Sequence, residues 1–190
     1  TVLQAVLEAA TGEDFATLMQ RIILDPLALH HTRYLHEYDA NLPLIAPLAG
    51  DFADPANHYH YAKPEGLVGS GLCTTARDLN RYAQLWASGG TLDGKTFFNP
   101  ALLAEASKSQ AHFDYLDADY GLLWWTFPER RAMVMSGATH CVSAISLEHQ
   151  VAVTVMRNYI GDIPEGFVFH QDKQKLVDFA NDLGTALSRP

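Results

Sequence analysis

Basic side chains are scarce: 13 Lys and Arg face 22 Asp and Glu across 190 residues, a formal net charge of −9. Binding along a nucleic-acid backbone rests on Lys and Arg neutralising phosphates, so no nucleic-acid partner is expected. An acidic surface equally disfavours anionic membranes. Cysteine is nearly absent. Cys73 and Cys141 make no disulfide framework, and each sits among small or apolar residues, the setting of a buried free thiol. No C-x-x-C pair is present, which removes the usual signal of a zinc or redox centre; neither a metal nor a cofactor is expected. No apolar run approaches the roughly 20 residues that cross a bilayer, and no basic-then-apolar leader opens the chain. Internal repeats and low-complexity tracts are lacking too. Because the first residue is Thr and not Met, the natural start is expected upstream, with any export signal; periplasmic, secreted and cytoplasmic locations all stay open.

What is present can build a core. Hydrophobic residues make up 48% and charged ones 18%, the balance of a folded domain and not of a disordered chain. The length fits a single domain or a large piece of a bipartite domain. The default partner is a small molecule or another protein.

Apolar residues at helical spacing (Val2, Val6, Leu7, Ala10, then Phe15, Leu18, Met19, Ile22, Ile23) predict an amphipathic helix in two pieces. The break falls at Thr11-Gly12-Glu13-Asp14 and the stop at Pro26. Residues 27–66 carry Pro43, Pro47, Pro55 and Pro64 with many aromatic and His residues, a long excursion of the kind that lines sites. A Thr cap at Thr74-Thr75 opens a helix to about Ser88, which Gly89-Gly90 ends. Leu92-Asp93-Gly94-Lys95 reads as a hairpin turn, and Asn99-Pro100 starts a helix to about Lys108.

In the last third, Tyr120–Phe127, Ala132–Met135, Val142–Leu147 and Val151–Arg157 are β-prone runs joined by short turns. Spacing this close favours an antiparallel meander, because parallel strands need longer crossovers. A final helix is predicted from about His170 to Leu187, with Leu176, Phe179, Ala180 and Leu183 on its apolar side.

Five segments, in this order, resemble the serine β-lactamase family, especially class C β-lactamases and the related carboxylesterases and D-Ala-D-Ala peptidases. Val6 to Gly12 resembles the helix after the family's Tyr-x-Asn motif. Ile22 to Leu29 with Thr32 resembles its I-x-x-P-L-G-M-x-x-T segment, with Ala28 where Gly is usual. Gly69 to Leu79 resembles G-G-L-x-S-T-A-x-D-L, Tyr120 to Trp124 resembles Y-G-L-G-W, and Met135-Ser136-Gly137 through Asn158 resembles H-S-G followed by V-V-V-x-x-N. The resemblance implies an α+β fold, an antiparallel sheet flanked by helices in a three-layer α/β/α arrangement plus some of a helical region. It implies further that the chain is the C-terminal portion of that fold, a partial domain over 1–190: helices and long loops over 1–115, then later strands and a C-terminal helix over 116–190.

The chemistry so implied needs a serine activated by a nearby base, an acyl-enzyme, and N–H groups holding the oxyanion. Ser and Lys three apart share a helix face, so the amine reaches the hydroxyl. No serine here qualifies: Ser70, Ser88, Ser107 and Ser136 are followed three on by Cys73, Thr91, Gln110 and Thr139, and the others fare no better. No Tyr has Asn two positions on. The chain is thus expected to be a fragment, inactive alone, that begins after two of three catalytic elements; the alternative is a non-enzymatic binding module on the same scaffold.

The third element is altered. Met135 stands where relatives carry Lys, His or, in some esterases, a bulky apolar residue, and Ser136-Gly137 follows. An apolar residue here lacks the charge that suits a β-lactam or peptide carboxylate and favours ester substrates; the plainer reading is that Met135 ends a core strand. The resemblance places the oxyanion N–H near His140 or Cys141, and sets Ser70 and Gly71 as a pocket wall unless they are a glycine-rich helix entry. Lys95-Thr96 does not continue to Gly and belongs to a surface hairpin. His58-Tyr59-His60-Tyr61 lacks a third metal ligand and reads as a polar-aromatic loop. Trp124, Trp125 and Phe127 could line a cleft, but one face of such a strand must bury. The expected partners are a small-molecule ester or amide in the parent protein, and a missing N-terminal segment or second copy pairing along Val151 to Arg157.

Overall fold

Gly12 ends the first helical run. In the computed structural model, which describes residues 2–34, 72–114, 118–137, 141–156 and 169–188, helix α1 (Val2–Thr11) stops where Gly12 adopts φ +73°. The Gly12 N–H donates to the Glu8 carbonyl at 2.8 Å, a left-handed helix stop of the kind glycine supports. Asp14 then caps α2 (Phe15–Met19), accepting the Thr17 N–H at 3.0 Å. α2 runs on into a wider π turn, Gln20–Leu24. Ala28, exposed, holds φ +54°, a conformation that costs an L-residue about 1–2 kcal/mol. This is the position where the resemblance expects glycine.

The described residues fall into two compact units, one reaching Asp78 and the other starting at Leu79. In the first, β1 (Arg33–Tyr34) pairs antiparallel with β2 (Leu72–Cys73). Helix α3 (Ala76–Ala87) begins where the sequence predicts, with Thr75 Oγ1 accepting the Asp78 N–H at 3.2 Å. Asp78 is buried, and its Oδ2 accepts the His31 N–H at 2.8 Å and the Thr32 hydroxyl at 2.9 Å. The Thr32 and Thr74 hydroxyls lie 2.7 Å apart. A buried carboxylate is tolerable only with such donors around it.

In the second unit, β3 (Thr91–Leu92) and β4 (Lys95–Thr96) form the predicted hairpin. Asp93 at φ +50° and Gly94 at φ +75° give the two positive angles that a tight two-residue hairpin favours. Lys95 is exposed on it. Asn99 caps α4 (Pro100–Ala106), accepting the Ala101 N–H at 2.8 Å.

One six-stranded sheet follows, every neighbour antiparallel. Its strands are β5 (Ala111–Phe113), β6 (Ala118–Tyr120), β7 (Trp125–Phe127), β8 (Ala132–Ser136), β9 (Val142–Ser146) and β10 (Val151–Val155), and spatial order equals chain order. The meander is as predicted, with two differences. β5 is an additional strand, and the run Tyr120–Phe127 is two strands, split by a turn at Gly121–Trp124. Gly121 has no room for a side chain: a Cβ there would run into the Ala106 carbonyl and come within 2.8 Å of the Lys108 carbonyl. That closeness lets the Leu122 N–H reach the Ala106 carbonyl at 3.2 Å, docking the end of α4 on the turn.

Helices cover both faces of this sheet. On one, Ala83 and Ala87 of α3 and Ala106 of α4 pack with Trp124, Met133 and Ile145. On the other, Val177 and Ala180 of α5 (Phe169–Leu187) pack with Phe127, Ala132, Val134 and Ala144. The three-layer α+β arrangement is thus the one expected. The aromatic pair divides as strand alternation requires: Trp124 joins the α3 face, Trp125 and Phe127 the α5 face. The buried stripe of α5 differs from prediction. Lys173, Val177, Ala180 and Gly184 are buried while Phe179 is 55% exposed. At Gly184 no side chain fits, since a Cβ there would meet His149, its Cγ at 2.5 Å. Lys173 places its ammonium 5.3 Å from the Trp125 ring centre, a cation–π contact.

β10 is the last strand of the sheet, paired among the described residues with β9 alone. Arg157 lies outside the described residues.

Candidate functional site

Four of the site residues that the sequence singles out, Met135, Ser136, Gly137 and Cys141, lie at one end of the β8–β9 hairpin. Met135 faces Ser143, Ser136 faces Val142, and the Gly137 N–H donates to the Cys141 carbonyl at 2.9 Å. Directly opposed residues of an antiparallel pair share a face. Met135 therefore lies on the α3 face, where it packs half-buried against the cluster around Met133 and Ile145. Ser136, also half-buried, lies on the α5 face with Val142. So Met135 both closes a core strand and keeps some of its surface open at the strand's end. Ser70, Gly71 and His140 lie outside the described residues, as does the segment His58–Tyr61.

Both cysteines are reduced thiols and half-buried, not fully buried as expected. Strand ends explain this: Cys73 sits in a two-residue pair, and Cys141 just precedes β9. Burial pushes the Cys73 thiol up, with the Arg33 charge opposite it working the other way. Among the described residues, no group of three or more His, Cys, Asp and Glu could hold a metal ion.

Beside Met135 runs a polar row that sequence reasoning missed. Ser143, fully buried, has its Oγ 2.8 Å from Thr154 Oγ1. Thr154 in turn donates to Asn80 Oδ1 at 3.0 Å. The Thr154 proton is committed to Asn80, so Ser143 is the donor in the first bond. This chain of hydroxyls ties α3 to β9 and β10 in the row that contains Met135. One signal was available: Asn80 shares a helical stripe with Ala83 and Ala87, and a polar residue within an apolar stripe demands a partner.

The Gly121–Trp124 turn belongs to the same end. Tyr120 pairs with Trp125, and Trp125 with Val134, so the turn lies beyond that row, next to the strand carrying Met135 and Ser136. Leu122 is 43% and Leu123 72% exposed. Leu123 holds φ +67°, again at a position where the resemblance expects glycine, at a cost of about 1–2 kcal/mol.

Comparison with known proteins bears on the fold and the family. The Beta-lactamase family profile matches residues 1–167. A penicillin-binding protein homolog from Caulobacter crescentus is 19% identical, with TM-score 0.63 over 95% of this chain and 55% of its own. The octameric penicillin-binding protein homologue from Pyrococcus abyssi is 14% identical, with TM-score 0.67 over 97% of this chain and 40% of its own. EstCE1, a hydrolase with promiscuous acyltransferase activity, is 16% identical, with TM-score 0.64 over 93% and 54%. The chain thus spans about half the length of these structures. A search of curated protein sequences gives no match. With the family profile covering most of the chain and the fold shared by these structures, the chain belongs to the beta-lactamase family.

Proposed function

We propose that this chain is the C-terminal portion of a serine hydrolase that acts on esters through an acyl-enzyme, with the nucleophile and its base supplied by residues preceding Thr1. In that reaction a serine Oγ bonds to the ester carbonyl carbon while the bond to the alcohol oxygen breaks. The hydroxyl proton passes through the base to the departing alcohol, and water then releases the acid in the same way. This chain contributes the strand end beside the reacting carbonyl. The observation that carries the ester reading is Met135, a half-buried apolar side chain where the resemblance puts Lys or His in enzymes that hold a carboxylate. Without a cation there, a β-lactam or peptide carboxylate would sit beside an apolar surface and lose its charge-assisted hydrogen bonds.

The test uses the complete reading frame that encodes this chain. p-Nitrophenyl esters should be hydrolysed at least about tenfold faster than nitrocefin, a difference of about 1.4 kcal/mol in transition-state binding. A fluorophosphonate should label one serine. Faster nitrocefin turnover would overturn the ester reading. Silence towards the fluorophosphonate would favour a non-enzymatic module on this scaffold.

The same proposal extends to the edge of β10, which we expect to pair with the preceding segment or with a second copy. Supporting it are the uncharged strand Val151–Val155 and the exposed apolar residues Val2, Leu3, Val6 and Leu7 of α1. Unpaired edges and bare apolar patches both invite association. The 190-residue chain alone should self-associate in light scattering and bind a hydrophobic dye; a monodisperse monomer that binds none would count against it.

A further inference from the structure

We propose that Leu122 and Leu123 form an apolar lip of the candidate site, and that this lip takes the hydrocarbon chain of an ester's acyl group. The inference rests on the ester reading above and narrows it to medium-length aliphatic acyl chains.

Three observations carry it. The first is position. β6 ends and β7 begins at the end of the sheet where β8 reaches Met135, Ser136 and Gly137. Neighbouring strands lie about 4.8 Å apart and advance about 3.3 Å per residue, so the turn stands within reach of one medium-length acyl chain from the Met135 strand end. The second is conformation. A leucine is an uncommon occupant of φ +67°, a setting where glycine would relieve the backbone and lose little in burial, because Leu123 is 72% exposed. Strain kept at an exposed apolar tip is what a binding contact would preserve. The third is chemistry. Met135, Leu122 and Leu123 place three flexible apolar side chains at one sheet end, which suits an alkyl chain and no charged group.

Other features of the molecule lead elsewhere. Lys173 is packed into the core on the Trp125 ring. His112 lies on exposed β5 beside Asp114 and Asp119, far along the sheet from β8.

The test combines hydrolysis with a binding measurement that needs no turnover, both on the complete reading frame. Leu123→Gly should raise the melting temperature by relieving the backbone, while lowering the ratio of kcat/KM for p-nitrophenyl octanoate over acetate about fourfold, the contribution of one methylene buried on the lip, about 0.8 kcal/mol. Leu122→Ser should lower the same ratio without the thermal gain. In methyl-labelled leucine spectra, N-methyloctanamide should shift the Leu122 and Leu123 signals, and N-methylacetamide should not. An unchanged chain-length ratio in Leu123→Gly, with esterase activity intact, overturns the lip and leaves the function standing. Leucine shifts with octanamide in a protein that hydrolyses no ester overturn the function and leave the lip standing. Methyl signals that move with protein concentration and not with octanamide assign the tip to a second copy and overturn the proposal.

Discussion

Gly121→Ala should destabilise this protein by about 3 kcal/mol, at the upper end of ordinary overpacking costs. The added methyl would meet two backbone carbonyls, those of Ala106 and Lys108, and the Thr126 Cγ2 at 2.9 Å. A side chain in the way can rotate, whereas a carbonyl at the end of a helix moves only with its helix. Relief would mean lifting the end of α4 off the turn, breaking the Leu122 N–H bond to the Ala106 carbonyl and disturbing Ala106, which is fully buried. Urea unfolding measures it, as a midpoint shift at unchanged slope. A change under about 0.5 kcal/mol, the size of an ordinary surface substitution, would mean that α4 and the turn are not held together as described.

Asp78→Ala is expected to cost a similar amount, about 3 kcal/mol, by leaving the His31 N–H and the buried Thr32 hydroxyl without the Asp78 carboxylate as acceptor. Asp78→Asn keeps an oxygen at the same place and should lose less than half of that. Thermal unfolding gives the totals, and hydrogen exchange at the His31 amide shows whether that bond is the one lost. If both variants behave alike, the carboxylate's charge at the start of α3 matters more than its role as acceptor.

Local signals were legible where one residue decides a local shape. Thr75 capping α3, Asn99-Pro100 opening α4, and Asp93-Gly94 turning the β3–β4 hairpin each act within a few residues, so the sequence shows them directly. β5 was missed because Ala111–Phe113 has three residues, too few for alternation to register. Hydrophobicity alone puts Phe179 on the buried stripe of α5, yet the helix turns Lys173, Val177, Ala180 and Gly184 inward and leaves Phe179 to one side. Asn80, Ser143 and Thr154 could not be linked from sequence, since Asn80 and Thr154 stand 74 residues apart and meet only once the sheet exists. Of the candidate site, Met135, Ser136, Gly137 and Cys141 come together at one hairpin end. The apolar turn beside them was hidden in the Y-G-L-G-W resemblance, where Leu123 occupies the second glycine's place.

Ala28 carries a different implication. Its left-handed backbone ends the helical run and turns the chain so that the Leu29 N–H reaches the Leu24 carbonyl at 2.9 Å and Leu29 enters the core. Glycine would make the same turn without crowding a Cβ. Ala28 therefore marks a place where this scaffold stands short of its stability optimum, with room for a single substitution to raise it.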